Sequence, residues 1–238
     1  MSAVGVTIFS TFNPYLNAAG NNILPGEQTD KFSIMKTLFT LLMLSLVLTV
    51  HSQTQTICPG QHIPYGWVIV DYNTCAGCCG QPGELVKQPV IKNIRNAANG
   101  STEVVCPDQD IPQGWVIIEY ISCAGCCGQA GELVQKYKIK KIANAASGAT
   151  ESICPDQAIP RGWVITDYNT CAGCCGKPGE LVKKPTIKRI DKLPRGSKLD
   201  ICPDQEVPRG WVVVDYNSCA GCCGKPGELV KKMTIKRL

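Results

Sequence analysis

Four cysteines recur four times at one fixed spacing, and this pattern limits the possible folds more than any other feature of the chain. The sets are Cys58, Cys75, Cys78 and Cys79; Cys106, Cys123, Cys126 and Cys127; Cys154, Cys171, Cys174 and Cys175; and Cys202, Cys219, Cys222 and Cys223. Corresponding members stand 48 residues apart without insertion or deletion, and together they account for all 16 cysteines of the chain. Strict self-similarity at such a period marks a tandem array of one supersecondary unit. Each copy also keeps Cys-Pro, a glutamine (Gln109 in the second), Pro-x-Gly-Trp-Val, an acidic residue followed by Tyr, Cys-Ala-Gly-Cys-Cys-Gly and Gly-Glu-Leu-Val.

The expected fold class is small, disulfide-rich and mainly β: four tandem 48-residue repeats, each a short two-stranded unit with a cysteine-stapled loop. Trp67 to Tyr72 is aromatic and β-branched between turn residues, which predicts a strand. Strict alternation there puts Trp67, Ile69 and Asp71 on one side and Val68, Val70 and Tyr72 on the other. The cysteine loop is too rich in glycine to hold a regular element. Leu85 to Ile94 predicts the second strand. It carries Pro89, so it is expected to lie at a sheet edge or to begin there, and at an edge its lysines would guard against edge-to-edge pairing.

A unit of fewer than about 40 residues usually needs disulfides, metal or association to stay folded. At about 25 cal/mol per Å², its few apolar side chains do not offset roughly 1.5 kcal/mol of entropy per ordered residue. A cross-link closing a loop of about 20 residues contributes on the order of 3 kcal/mol. The expectation is therefore that disulfides, not a core, hold each unit. Two pairings remain open: Cys58–Cys78 with Cys75–Cys79, or Cys58–Cys79 with Cys75–Cys78. An adjacent Cys78–Cys79 link is sterically poor.

Residues 1–34 form a non-repeat extension without cysteine, and Met35 is a candidate true start. Residues 35–52 have the form of a signal peptide: Lys36, then 13 mostly apolar residues from Leu38 to Val50, with Val50 and Ser52 before a cleavage point. That run is short for a spanning helix, which needs about 20 residues. The repeats occupy 53–94, 105–142, 153–190 and 201–238. The linkers are 95–104, 143–152 and 191–200, the first two small and polar and the third charged. A signal peptide together with this cysteine pattern predicts a secreted, extracellular protein.

Nothing in the sequence composes a catalytic site. His51 lies in the signal segment, and His62 aligns with Asp110, Ala158 and Glu206, so the repeats share no histidine base. Two acidic positions recur, Asp71 and Glu84 in the first copy, and are expected to be structural: Glu84 in a turn, Asp71 paired with lysines of the second strand. No cofactor and no resident metal are expected, and the expected function is non-enzymatic binding or adhesion by multivalent modules. One alternative is a multi-headed protease inhibitor whose specificity residues are Tyr65, Gln113, Arg161 and Arg209, the variable position of Pro-x-Gly-Trp. Another is a metal-binding repeat with four cysteine ligands in each unit, and a third is a cationic membrane-active protein. With 24 Lys and Arg against 19 Asp and Glu the chain is mildly basic. That charge fits an anionic glycan, a cell surface or a protease as partner and is too small to predict specific nucleic-acid binding. Asn99-Gly100-Ser101 is a glycosylation sequon.

Overall fold

The computed structural model describes residues 54–238, so the extension and the signal segment lie outside the described residues. The four repeats belong to one compact unit, Ser52–Leu238. They form an all-β array of four similar sheets with disulfides in every repeat, and no helix occurs among the described residues.

Each sheet has three strands, one more than expected. Repeat 1 contains β1 (Thr54–Thr56), β2 (Trp67–Ala76) and β3 (Leu85–Asn93). Repeat 2 contains β4 (Thr102–Val105), β5 (Trp115–Ala124) and β6 (Leu133–Lys141). Repeat 3 contains β7 (Thr150–Ser152), β8 (Trp163–Ala172) and β9 (Leu181–Arg189). Repeat 4 contains β10 (Lys198–Ile201), β11 (Trp211–Ala220) and β12 (Leu229–Arg237). The additional strands β4, β7 and β10 come from the ends of the segments expected to be linkers. They are short, β7 wholly polar and β4 and β10 ending on the buried Val105 and Ile201, and each pairs antiparallel with the third strand of its repeat.

That third strand is central, not an edge: the order is β1-β3-β2, and likewise in every repeat. The proline explains itself once the register is known. The Pro89 carbonyl accepts from the Ile57 amide at 3.0 Å, so the missing N–H of Pro89 would point to the same side, towards β1. There the ladder stops at Thr56↔Val90. Where Tyr137 or Met233 replaces proline the amide exists, and the first strand runs one residue further, to Val105↔Tyr137 and Ile201↔Met233. Proline therefore shortens the neighbouring strand without expelling the central one.

The alternation expected in Trp67–Tyr72 is broken by a β-bulge at Val70, between Ile69 and Asp71, and again at the same place in the other repeats. The bulge moves Asp71 to the face of Val68 and Tyr72 to that of Ile69. Val68 and Ile69, which precede it, keep opposite faces and are both buried, at 1 % and 4 % exposure, because both faces of the sheet are covered. Ile69 packs on Ile91 at the centre of its own sheet. Val68 instead joins a cluster with Trp115, Ile117 and Ile139 of repeat 2 and with Cys154, Cys175 and Val182 of repeat 3. Val116 and Val164 reach forward in the same way.

The repeats are thus not beads on flexible spacers, each held by sulfur alone. They form a nearest-neighbour stack with a continuous core, which is how units too small for a private interior become stable. Burying one isoleucine such as Ile139 or Ile187, each 0 % exposed, contributes roughly 1.5–3 kcal/mol. Disulfides and core share the stability.

The turns that enter β2, β5, β8 and β11 are held tightly. Gly114 has φ +84°, and a Cβ there would lie 2.6 Å from Ala143 Cβ. Gly210 has φ +81° in the same turn with open space around it. Gly114→Ala is therefore expected to destabilise by about 2–4 kcal/mol, from strain and clash together, and Gly210→Ala by about 1–2 kcal/mol. Urea unfolding of the two variants checks this, and equal losses would refute the role given to the close approach.

Candidate functional site

The cysteines resolve to one of the two open pairings. First pairs with fourth and second with third: Cys58–Cys79 and Cys75–Cys78, then Cys106–Cys127 and Cys123–Cys126. The same holds for Cys154–Cys175 and Cys171–Cys174, and for Cys202–Cys223 and Cys219–Cys222. The long link ties the residue after the first strand to the loop. The short link closes the loop itself. All the cysteines are paired, and zinc requires thiolates. Asp71 with Cys106 and Cys127, and Asp167 with Cys202 and Cys223, do lie close together. Their sulfurs are committed to each other, and the carboxylates have backbone partners.

Those carboxylates hold repeats together. Asp71 Oδ1 accepts from its own neighbour Tyr72 N at 2.9 Å and from Cys127 N of the next repeat at 3.1 Å. Asp167 does the same towards Cys223 N at 2.8 Å. The lysine partner expected for this position appears only in repeat 2, where Glu119 meets Lys138 at 3.1 Å. Other side chains complete each junction. Gln109 uses its amide like a strand residue, accepting from Ile69 N at 2.8 Å and donating to Ile69 O at 2.7 Å. Gln157 and Gln205 repeat this on Ile117 and Ile165.

The lysine at the fourth position of the central strand reaches back as well. Lys136, Lys184 and Lys232 donate to the bulge carbonyls of Val70, Ile118 and Thr166. Desolvation at this position lowers the pKa of Lys184. Tyr72 and Tyr168 donate to Asp108 and Asp204, and burial, followed by that bond, raises both phenols above their ordinary value. The edge strands of repeats 1 to 3 are thereby closed by the next repeat, which is the function expected, wrongly, of lysines on an outer strand.

The variable turn residues are placed differently. In each Pro-x-Gly-Trp the Trp N–H donates to the Pro carbonyl at 3.0 to 3.1 Å, and the glycine has positive φ. This is a tight turn with the variable residue at its second position, as in a type II turn. The glycine carbonyl is bound in turn from the residue that follows the central strand, as by Ile94 N at 2.8 Å. A rigid frame thus presents one exposed side chain per repeat; Tyr65 is 79 % exposed.

The structure brings three of the four together. Gln113, Arg161 and Arg209 line one groove of about 1140 Å³ that runs across repeats 3 and 4 and reaches repeat 2 at Gln113. Trp163, Trp211, Lys192, Arg195 and Arg237 also line it. Two carboxylates are present, Asp191 and Glu206. Asp191 is already engaged by Arg189 at 2.5 Å, and that guanidinium holds its carboxyl below the ordinary value. The Arg237 guanidinium donates to the Leu193 carbonyl. Arg161, Lys192, Arg195 and Arg209 remain exposed and make the groove positively charged. Tyr65 is not among its lining residues.

Sequence reasoning missed Lys192 and Arg195, which sit in the segment read as a linker. It also gave no weight to the leucine of Gly-Glu-Leu-Val. Leu85, Leu133, Leu181 and Leu229 are all 75–76 % exposed beside the cysteine loop, one per repeat. Asn99 of the sequon is exposed in a turn, where its Oδ1 accepts from Asn144 N at 3.2 Å. The chain matches no family model, no curated protein and no solved structure.

Proposed function

We propose that this chain is a secreted, non-enzymatic binding protein that grips an anionic surface or glycan through the basic groove of repeats 3 and 4. The observation that carries the reading is the convergence of Arg161 and Arg209 with Lys192 and Arg195 on one groove that Trp163 and Trp211 also line. Planar, exposed guanidiniums suit bidentate contact with sulfate, phosphate or carboxylate groups. Because the repeats are stacked and not tethered, successive contacts keep a fixed spacing, which suits a repetitive ligand and limits the entropy lost on binding. A dense disulfide framework accords with an oxidising, extracellular setting.

The inhibitor alternative rests on the same exposed arginines. A protease takes its substrate-like segment extended, and each of these arginines sits inside a tight turn, so we favour surface binding. One double variant separates the two. Arg161→Ala with Arg209→Ala is expected to weaken binding to a sulfated glycan resin by roughly tenfold and to flatten its salt dependence. Unchanged retention would sink the groove reading. Loss of trypsin inhibition in the same variant, with glycan retention intact, would establish the inhibitor instead.

A further inference from the structure

The three junctions inside the chain are one interface used three times, and the two ends of the described array carry its two halves. Repeat 4 presents the accepting half. Val212 and Val214 are 37 % and 44 % exposed, whereas Val68, Val116 and Val164, which correspond to Val212, are each 1 % exposed. Tyr216 is 60 % exposed, and Asp215 Oδ1 holds only the Tyr216 amide, at 2.8 Å. No glutamine amide clasps Val213, although its counterparts Ile69, Ile117 and Ile165 are all clasped.

Repeat 1 presents the donating half. Its glutamine, Gln61, is folded onto its own turn and accepts from Cys58 N at 3.0 Å. In the other repeats that cysteine amide donates to the preceding repeat, as Cys106 N does to Ile69 O at 2.9 Å. Cys58 is correspondingly half-buried, whereas Cys106, Cys154 and Cys202 are 0 % exposed.

We propose that the repeat 4 face takes the repeat 1 face of a second copy of this chain, head to tail, continuing the stack from molecule to molecule. Two residues of repeat 1 keep this contact weak. Gly60 stands where Asp108 and Asp204 receive the tyrosine hydroxyl, and Gln88 stands where Lys136, Lys184 and Lys232 reach the bulge carbonyl. The remaining groups of the donating half, the Cys58 and Cys79 amides and the Gln61 side chain, are all retained. Since the contact is heterologous and related to the internal repeat, it generates open filaments and not closed dimers.

The test is sedimentation of the full chain from about 1 µM to about 100 µM, beside Gly60→Asp/Gln88→Lys. Asp156 occupies the position of Gly60 at φ +65°, and a Cβ on Gly60 meets nothing within 4 Å. The substitution therefore brings no clash and costs only about 1–2 kcal/mol of backbone strain, which moving towards the φ < 0 of Asp108 and Asp204 relieves. The wild type is expected to associate weakly, and the double variant at least tenfold more tightly, with species that keep growing as concentration rises. Adding Val214→Glu, at an exposed bulge, should return the double variant to monomer. Monomer at every concentration for both proteins, or a closed dimer indifferent to Val214→Glu, overturns the proposal.

Discussion

Gln157→Ala is expected to divide the array at its middle, so that it unfolds in two steps where the parent unfolds in one. Gln157 makes three bonds at the junction of repeats 2 and 3. It accepts from Ile117 N and donates to Ile117 O and Cys154 O, all at 2.8 Å. Alanine strands these backbone groups in a half-buried setting, at a cost of about 2–4 kcal/mol in total. The same change at Gln109 or Gln205 should matter less, because the other two junctions have buried-amide and phenol fastenings that the middle one lacks. The middle one does keep Gln135 on Gly176 O at 2.8 Å and Lys140 on Glu151 at 2.5 Å. The other two carry Tyr72 on Asp108 with Asp71 on Cys127 N, and Tyr168 on Asp204 with Asp167 on Cys223 N. At the middle junction Glu119 has turned to Lys138, and Tyr120 stacks edge-to-face on Tyr137 at 5.1 Å. A linear array comes apart at its weakest interface. Urea unfolding followed by hydrogen exchange at the Ile117 amide checks the prediction. A single transition with an unshifted midpoint would remove Gln157 from the account.

The parts of the fold that could be read from the sequence were those fixed by local chemistry. Cysteine spacing set the repeat, and Trp67 to Tyr72 and Leu85 to Ile94 declared themselves by β-branched and aromatic content. What escaped were effects of neighbours. Thr54–Thr56 and Thr150–Ser152 carry no hydrophobic alternation, and only their pairing with β3 and β9 makes them strands. Pro89 misled because its missing amide matters on one side only, and which side depends on register. Asp71 and Tyr72 were assigned to the wrong faces because nothing in Trp67–Tyr72 announces the bulge, which swaps them while leaving Val68 and Ile69 where alternation put them. The retained glutamine was visible as a repeated letter, but its partner is 40 residues away. A unit judged too small for a core was judged alone, and the missing apolar partners were in the units beside it.

The candidate site divides along the same line. An exposed variable side chain at Pro-x-Gly-Trp follows from turn chemistry, and Tyr65, Gln113, Arg161 and Arg209 could be picked out from the sequence. That Gln113, Arg161 and Arg209 share a groove with Lys192 and Arg195, while Tyr65 is not part of it, depends on how successive repeats pack, which no local pattern encodes. The disulfide pairing had two open answers for a related reason, since both staple the same loop. The structure selects the one in which the buried member of Cys-Cys, such as Cys175, reaches back to the buried cysteine after the first strand.

Removing that buried link in repeat 3 is expected to disturb repeat 2 as well. Cys154 is 0 % and Cys175 5 % exposed, and they belong to one buried cluster with Trp115, Ile117 and Ile139 of repeat 2 and Val182 of their own repeat, which extends to Val68 of repeat 1. Their link spans 21 residues, so Cys154→Ala with Cys175→Ala gives up about 3 kcal/mol of loop-closure entropy and leaves a void where two sulfurs were. Cys171→Ala with Cys174→Ala opens a loop of only 3 residues between half-exposed cysteines, at about 2 kcal/mol and with little void. Were the repeats independent, both losses would stay within 153–190. A shared interior instead predicts that the first pair lowers hydrogen-exchange protection at Ile117 and Ile139 in repeat 2, while the second pair leaves those amides as they were. Protection lost in repeat 3 alone, with repeat 2 untouched, would return the molecule to four separately stapled units and dissolve the continuous core on which the stacked array depends.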